Sequence, residues 1–348
     1  MPRIAVIPGD GIGVDVTRQA TKVLSILAER SSLTLDITEF DFGAERYLKT
    51  GRAITEKEFE ALSRFDAIFL GALGDPRVSD NAHARAILLG LRFRFDLYIN
   101  LRPVKLLDAR LSPLRNVRPE DVDLVIVREN TEGVYLGLGG TFKRGTPDEI
   151  AIEEDLNTRK GVERITRAAF EVARRGKRRK VTLTDKANAM QHAGSLWRRV
   201  FAEVAKEYAD IPRDAVYIDA LALDLVRRPA HYDVILAPNL FGDILSDLAA
   251  ALAGGLGVAP SANLHPGRPG LFEPVHGSAP DLVGTGKANP VAAILTAALM
   301  LRELGHVAAA EAIEQAAQRS VKEGKTTPDL GGSLSTEQVG DWICDQLA

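Results

Sequence analysis

Six short runs of β-branched and aliphatic residues, each followed by a polar or glycine-bearing stretch and then by a helical pattern, constrain this chain most. They are RIAVIP from Arg3, DAIFLGALG from Asp66, VDLVIVREN from Val122, KVTLTDKAN from Lys180, AVYIDALAL from Ala215 and YDVILAPN from Tyr232. Such alternation predicts an α/β fold, because short strands lie side by side while amphipathic helices cover the faces of their sheet. In open sheets of this kind ligands gather at the carboxyl ends of strands. Here those ends carry Pro8-Gly9-Asp10-Gly11 after Ile7, Arg128 and Glu129 after Val127, Asp185 and Lys186 after Leu183, Asp219 after Ile218, and Asn239 after Leu236. Their recurrence points to a shared site. Ordinary polar loop surface is the competing reading.

PGDGIGVDV invites a dinucleotide reading and fails it: Gly9, Gly11 and Gly13 are followed by Val14, without the spaced third glycine of G-x-G-x-x-G. The turn predicts a tight passage from a strand into a helix over Val16 to Leu27. A second stretch, NLFGDILSDLAAALAGGLG from Asn239, puts Asp243 and Asp247 four apart on one helical face. Like charges at that spacing cost roughly 0.2–0.5 kcal/mol, so something must compensate them. Either Gly242 starts the helix and its dipole favours acid in the first turn, or a hard divalent cation takes the carboxylate oxygens. Arg92, Arg102 and Arg128 also lie near predicted strand ends, and guanidinium groups suit a ligand with more than one carboxylate.

Composition narrows the function. A length of 348 residues suits two domains or one large one, and a net charge of −3 leaves no electrostatic footprint for nucleic acid or an anionic membrane. The densest basic run, ARRGKRRK from Ala173 to Lys180, closes an amphipathic helix (Val162, Ile165, Ala169, Val172) at Gly176 and reads as a solvated helix end. Cys344 is the only cysteine, which excludes an intrachain disulfide and a cysteine-based zinc site and fits a reducing cytoplasm. The amino terminus enters a strand-like run without a basic leader, and later apolar runs are broken by Asp or Gly, so no export and no membrane span are expected.

PGDGIG, NLRPVK, VIVRENTEGVY, DKANAMQHAGSLW, NLFGDILSDLAA and FEPVHGSAPDLVGTGKANP, in this order along most of the chain, resemble the β-decarboxylating dehydrogenases of 2-hydroxy acids. That family holds isopropylmalate, isocitrate, homoisocitrate and D-malate/tartrate dehydrogenases, and HAGSLWRRV is most similar to its bacterial isopropylmalate branch. The resemblance implies an isocitrate/isopropylmalate dehydrogenase-like fold: two α/β domains with a large mixed sheet that is not Rossmann. Residues 1–97 and 255–348 would form the cofactor-side domain, and 98–254 the central domain for substrate, metal and dimerisation. An arm at about 135–155, with turn residues between short alternating runs, would pair with its twin in a homodimer with shared active sites.

The same resemblance assigns chemistry residue by residue. Mg²⁺ or Mn²⁺ would be held by Asp243 and Asp247 with Asp219 from the neighbouring subunit, where Asp219 also borders the substrate. Arg92, Arg102 and Arg128 would hold the carboxylates of a small 2-hydroxy dicarboxylic acid, Lys186 would assist deprotonation of its hydroxyl, and Tyr135 would serve protonation of the enolate. Cofactor contacts map onto Ile12, His276, Gly277, Ser278, Ala279, Asp281 and Asn289. Asp281 implies NAD, since a carboxylate accepts from the ribose 2′-hydroxyl and repels a 2′-phosphate, whereas NADP-dependent isocitrate relatives carry a Lys-Tyr pair there.

Leu88 and Leu89 precede Arg92 by four and three residues, and would line an apolar wall for a branched alkyl group at C3. Ala86-Ile87-Leu88 stands where isocitrate relatives have Ser-x-Asn, and Leu89 where homoisocitrate relatives have arginine. Arg85 departs from the glutamate that many isopropylmalate relatives carry. The implied reaction is NAD-dependent oxidative decarboxylation of 3-isopropylmalate to 4-methyl-2-oxopentanoate in leucine biosynthesis, with D-malate/tartrate oxidation as runner-up. Lys186, Tyr135, Asp219, Asp243 and Asp247 together speak against an inactive regulatory subunit.

Overall fold

The opening run forms β1 (Arg3–Gly9), whose residues Ile4 to Ile7 are buried, as expected of a strand covered on both faces. The structure, a computed structural model, describes residues 1–176, 178 and 180–347; Lys177 and Arg179 of the basic run, and Ala348 at the end of the expected cofactor-side segment, lie outside them. Two units emerge, one of Met1–Leu97, Pro103–Val122 and Ala250–Ala348, the other of Tyr98–Arg102 and Asp123–Ala249.

In the first unit β1 is followed by α1 (Ile12–Arg30), β2 (Asp36–Glu39), α2 (Ala44–Thr50), α3 (Glu56–Leu62), β3 (Ala67–Ala72) and α4 (Ala82–Arg94). Strand β4 (Ile99–Lys105) has residues in both units. The second unit continues with β5 (Asp123–Glu129), β6 (Gly139–Phe142), β7 (Ile150–Glu153), α5 (Arg159–Arg175), β8 (Val181–Asp185) and α6 (Gln191–Val204). It closes with β9 (Arg213–Tyr217), α7 (Ile218–Arg227), β10 (Val234–Ala237) and α8 (Asn239–Leu252). The chain then returns to the first unit through β11 (Pro260–Leu264), β12 (Gly270–Pro274), α9 (Val291–Glu303), α10 (Val307–Lys322) and α11 (Thr336–Asp345).

The first unit orders its strands β2-β1-β3-β12-β11, with β12 parallel to β3 but antiparallel to β11. That is a mixed sheet. Helix α9 packs on β11 and β12 and is buried on every side from Val291 to Leu301, which is why VAAILTAALML carries no charge. The second unit orders β5-β10-β8-β9, all parallel. Its core includes the stacked rings of Phe170 on α5 and Phe201 on α6, 5.6 Å apart. Among the described residues, no helix is long and apolar enough to cross a membrane.

Three local expectations need correction. Helix α1 starts at Ile12, four residues before Val16, since the apolar face that buries Val16, Ala20, Val23 and Leu27 already begins with the buried Ile12, and it runs past that face to Arg30, a cation in the last turn that suits the helix dipole. AVYIDALAL is not one strand: β9 stops at Tyr217 and α7 starts at Ile218, where Leu221 and Leu225, four apart, bury one helical face. Asp219 therefore sits in the first turn of a helix. Helix α8 begins at Asn239, three residues before Gly242.

Strands β6 and β7 pair antiparallel as a separate hairpin. Every residue of both strands is exposed, and Phe142, Ile150 and Ile152 present apolar side chains to solvent.

Trp197 on α6 is 1 % exposed, and its indole Nε1–H donates to Asn157 Oδ1 at 2.8 Å. Trp197→Ala removes that volume and leaves the acceptor unpaired, so the variant should lose about 3–5 kcal/mol of stability. A denaturant titration followed by circular dichroism measures it as a lowered midpoint. A midpoint equal to the parent's would contradict this packing.

Candidate active site

In the second unit the carboxyl end of β5 delivers Arg128, 1 % exposed, against α8. Its Nη1 donates to Asp243 Oδ1 at 2.5 Å, and its Nε and Nη2 donate to Asn239 Oδ1 at 3.0 and 2.7 Å. Gly242 makes this approach possible, because a Cβ there would lie 2.6 Å from Arg128 Cγ. Tyr135, from the turn after β5, donates its hydroxyl to Asp243 Oδ2 at 2.8 Å and lies with its ring 5.1 Å from the Arg128 guanidinium carbon. Burial, and then the Asp243 carboxylate, push the Tyr135 phenol above its ordinary range, while Arg128 pulls it partly back.

Arg102 on β4 completes this cluster. Its Nε donates to Asn100 Oδ1 at 2.8 Å, two residues earlier on the same strand face, and its Nη1 donates to Ser246 Oγ at 2.6 Å and reaches Asp247 Oδ1 at 3.5 Å. Nη2 lies 3.7 Å from Asp243. The two aspartates of α8 are thus compensated by two guanidinium groups. The dipole alternative fails, because with α8 starting at Asn239 there is no acid in its first turn.

Lys186, just beyond β8, donates to Asp219 Oδ1 at 2.7 Å, and that bond holds the Asp219 carboxyl below its ordinary range. Beside Lys186 a cavity is lined by Val134, Met190, Trp197, Leu240 and Phe241. Asp219 does not join Asp243 and Asp247: among the described residues, no group of three His, Cys, Asp or Glu side chains converges as a metal site. Asp243 and Asp247 nevertheless suit a hard cation. They are 36 % and 59 % exposed, and the two hydrogen bonds on the oxygens of Asp243 leave part of a capacity of about four lone pairs.

The first unit holds the other predicted residues. Arg92 on α4 is buried, its Nη2 donates to Glu273 Oε1 at 3.0 Å, and its Nε is buried with no partner. Asn263 Nδ2 donates to the same Glu273 oxygen at 2.9 Å. Leu88 and Leu89 are both half-buried, and Leu88 packs against the core cluster that includes Phe59, Ile87 and Leu91. Part of its surface therefore serves packing.

Of the predicted cofactor residues, Ile12 and Ser278 meet directly, the Ile12 N–H donating to the Ser278 carbonyl at 2.8 Å. Gly11 is needed at this crossing, since a Cβ on it would lie 2.1 Å from that carbonyl oxygen and its φ is +59°. Gly277 and Asp281 are exposed and Ala279 adopts a left-handed backbone. Burial pushes the His276 imidazole below its ordinary range, and its Nε2 has no partner. An orphaned ring nitrogen on this segment fits a polar ligand such as a nucleotide. Asn289 is differently employed: its Nδ2 donates to Asp329 and its Oδ1 accepts from the Val291 N–H at the start of α9.

Sequence reasoning passed over Asn239, Asn100, Ser246 and Glu273 as polar partners of the arginines. The i, i+2 spacing of Asn100 and Arg102 on one strand and the place of Asn239 at a strand end were the local signals.

Against known proteins, the family profile Isocitrate/isopropylmalate dehydrogenase matches residues 3–343. The chain is 48% identical over 348 residues to 3-isopropylmalate dehydrogenase of Thermobifida fusca, covering 99% of this chain and 98% of that protein. It is 48% identical over 344 residues to 3-isopropylmalate dehydrogenase of Streptomyces avermitilis, covering 97% and 98%. Among solved structures it is similar to isocitrate dehydrogenase from Methylococcus capsulatus (TM-score 0.90, 37% identity, 100% and 99% covered). It is also similar to the apo β-decarboxylating dehydrogenase from Thermococcus kodakarensis (TM-score 0.83, 39% identity, 100% and 96% covered). With the profile spanning nearly its whole length, the chain belongs to the isocitrate/isopropylmalate dehydrogenase family.

Proposed function

We propose that the protein oxidises and decarboxylates 3-isopropylmalate with NAD and Mg²⁺ or Mn²⁺, giving 4-methyl-2-oxopentanoate, CO₂ and NADH, a step of leucine biosynthesis in the cytoplasm. The observation that carries this reading is the pairing of Arg102 and Arg128 with Asp243 and Asp247, beside the Tyr135 hydroxyl. The names of relatives 48% identical over almost the whole chain support the choice of acid.

The residues divide the work. Arg92, Arg102 and Arg128 hold the substrate carboxylates, which guanidinium groups can bind in bidentate fashion. Lys186 assists removal of the 2-hydroxyl proton as the hydrogen at C2 leaves as hydride. Asp243 and Asp247, with Asp219 of a second copy, would hold the divalent cation, which would supply stabilisation of negative charge on the substrate oxygen, and bound NAD would supply the hydride acceptor. Loss of the β-carboxylate as CO₂ leaves the substrate enolate, and Tyr135 donates its proton to C3. The raised Tyr135 phenol remains protonated at neutral pH, as a proton donor must be, and Arg128 beside the ring offsets charge on the phenolate afterwards.

Among the described residues of a single copy no third carboxylate joins Asp243 and Asp247, and the hairpin β6–β7 exposes apolar side chains on both strands. Both features support a homodimer with shared sites. Mixing Lys186→Ala with Asp243→Asn chains should then restore turnover, since the heterodimer keeps one intact site. Verified heterodimers that stay inactive would refute sharing.

Asp281 gives the second expectation. Catalytic efficiency with NAD should exceed that with NADP by roughly tenfold or more, from repulsion of the 2′-phosphate, and Asp281→Asn should narrow the gap. Equal kcat/KM for the two cofactors would count against it.

Substrate choice is the third. Burying three alkyl carbons at roughly 0.8 kcal/mol each is worth about 2.4 kcal/mol, a preference of roughly 50-fold for 3-isopropylmalate over D-malate. Leu89→Ala is the cleaner probe, because Leu88 also packs against the core. It should lower selectivity while D-malate turnover changes less. The readout is kcat/KM with Mn²⁺ and NAD for 3-isopropylmalate, D-malate, tartrate, isocitrate and homoisocitrate. A wild type that prefers D-malate or tartrate would transfer the assignment to the runner-up.

A further inference from the structure

Asp10, in the middle of the turn between β1 and α1, has no part in the reaction above, yet few side chains in the first unit are so fully engaged. Its buried carboxylate accepts from the Ala44 N–H at 2.6 Å on Oδ1, and on Oδ2 from the Gly74 N–H at 2.9 Å and from His83 Nε2 at 2.7 Å. Its own N–H donates to the Ala72 carbonyl at 2.8 Å, and its carbonyl accepts from the Gly13 N–H at 2.9 Å. One residue thereby ties the turn to the start of α2, the loop after β3 and the first turn of α4.

His83 is 0 % exposed, with its ring centroid 5.9 Å from that of Tyr47. A carboxylate only accepts, so Nε2 carries the hydrogen. Nδ1 is buried and has no partner. Placing an imidazole there with one nitrogen unsatisfied costs free energy that an aliphatic side chain would not. What the histidine adds is the bond to Asp10.

That bond lies next to the cofactor segment. Gly11, the following residue, backs onto Ser278, and the Ile12 N–H donates to the Ser278 carbonyl. Gly9 and Gly11 have φ of +73° and +59°, and two glycines in three residues give an unpinned turn many alternative conformations. Ordering such a turn at the moment of binding weakens affinity, and ordering it beforehand removes that cost.

We propose that Asp10 and His83 are a positioning pair for the cofactor, holding the glycine turn in the one shape in which Ile12 and the Ser278–Asp281 segment receive the adenosine half of NAD. The proposal rests on the NAD reading given above. The pair does not touch the reacting atoms and acts through the turn.

The test uses the full-length enzyme, with NADH binding followed by fluorescence enhancement and, separately, steady-state kinetics with Mn²⁺ and 3-isopropylmalate. His83→Leu should weaken NADH binding about tenfold and raise KM for NAD in step, with kcat and KM for the acid within about twofold of wild type. His83→Gln, whose amide can still donate to Asp10, should recover most of the loss. Asp10→Asn, which cannot accept all three hydrogen bonds on carboxylate oxygens, should behave like the leucine variant and decides the matter if that variant does not fold. A lowered melting temperature with unchanged NADH affinity would mean that the pair serves stability alone and would overturn the proposal. A wild type that binds no NADH would sink the NAD reading and this proposal together, whereas a binding wild type with unaltered variants sinks only the pair.

Discussion

Arg128 carries a full positive charge with 1 % of its surface exposed, and the arrangement of the central unit's site follows from keeping that charge compensated. An uncompensated buried ion costs several kcal/mol, so partners must be close and well aligned. Asp243 supplies the countercharge and Asn239 a neutral acceptor for two of the N–H groups. Gly242 lies between these two acceptors on α8, and its missing side chain leaves room for the guanidinium stem. The first turn of that helix is thus shaped by an arginine on a neighbouring strand rather than by its own helical propensity.

The same compensation resolves the repulsion between two acids on one helical face. Asp243 and Asp247 face Arg128 and Arg102, so a pair that would be mildly unfavourable on an isolated helix is held in a cationic setting. Their exposure leaves oxygens for a ligand, which a fully buried pair would not have. Lys186 and Asp219 stand in a looser relation. An ion pair this open to solvent contributes little to stability, so its members can exchange partners at small cost when a substrate arrives.

In the first unit geometry is set by backbone more than by charge. The turn after β1 crosses the Ser278 segment so closely that only glycine fits at residue 11, and the bonds around Asp10 hold three neighbouring segments against it. These glycines resemble a dinucleotide fingerprint but serve a different contact, backbone against backbone, which explains why the G-x-G-x-x-G spacing is absent. Arg92 shows a related economy of means: Glu273 and Asn263 share one bond network with it, so its guanidinium is oriented from the strand side.

By itself the sequence determined the α/β class, most strand positions and the polar residues that stand at the strand ends. Those properties rest on local signals: hydrophobic periodicity within a run, polar residues at strand ends, and motif strings whose members are close in the chain. Where periodicity was ambiguous it misled, as in AVYIDALAL, whose aliphatic residues suit a strand until Leu221 and Leu225 find a shared surface to bury. Only the tertiary structure decided the partners. Arg128 and Asp243 are 115 residues apart, Arg92 and Glu273 181, and Asp10 and His83 73, and each pair forms because separate elements bring complementary groups within hydrogen-bond range. No local pattern reports such a meeting, since it depends on how strands are ordered in a sheet and on the desolvation that makes a partner obligatory once a charge is buried.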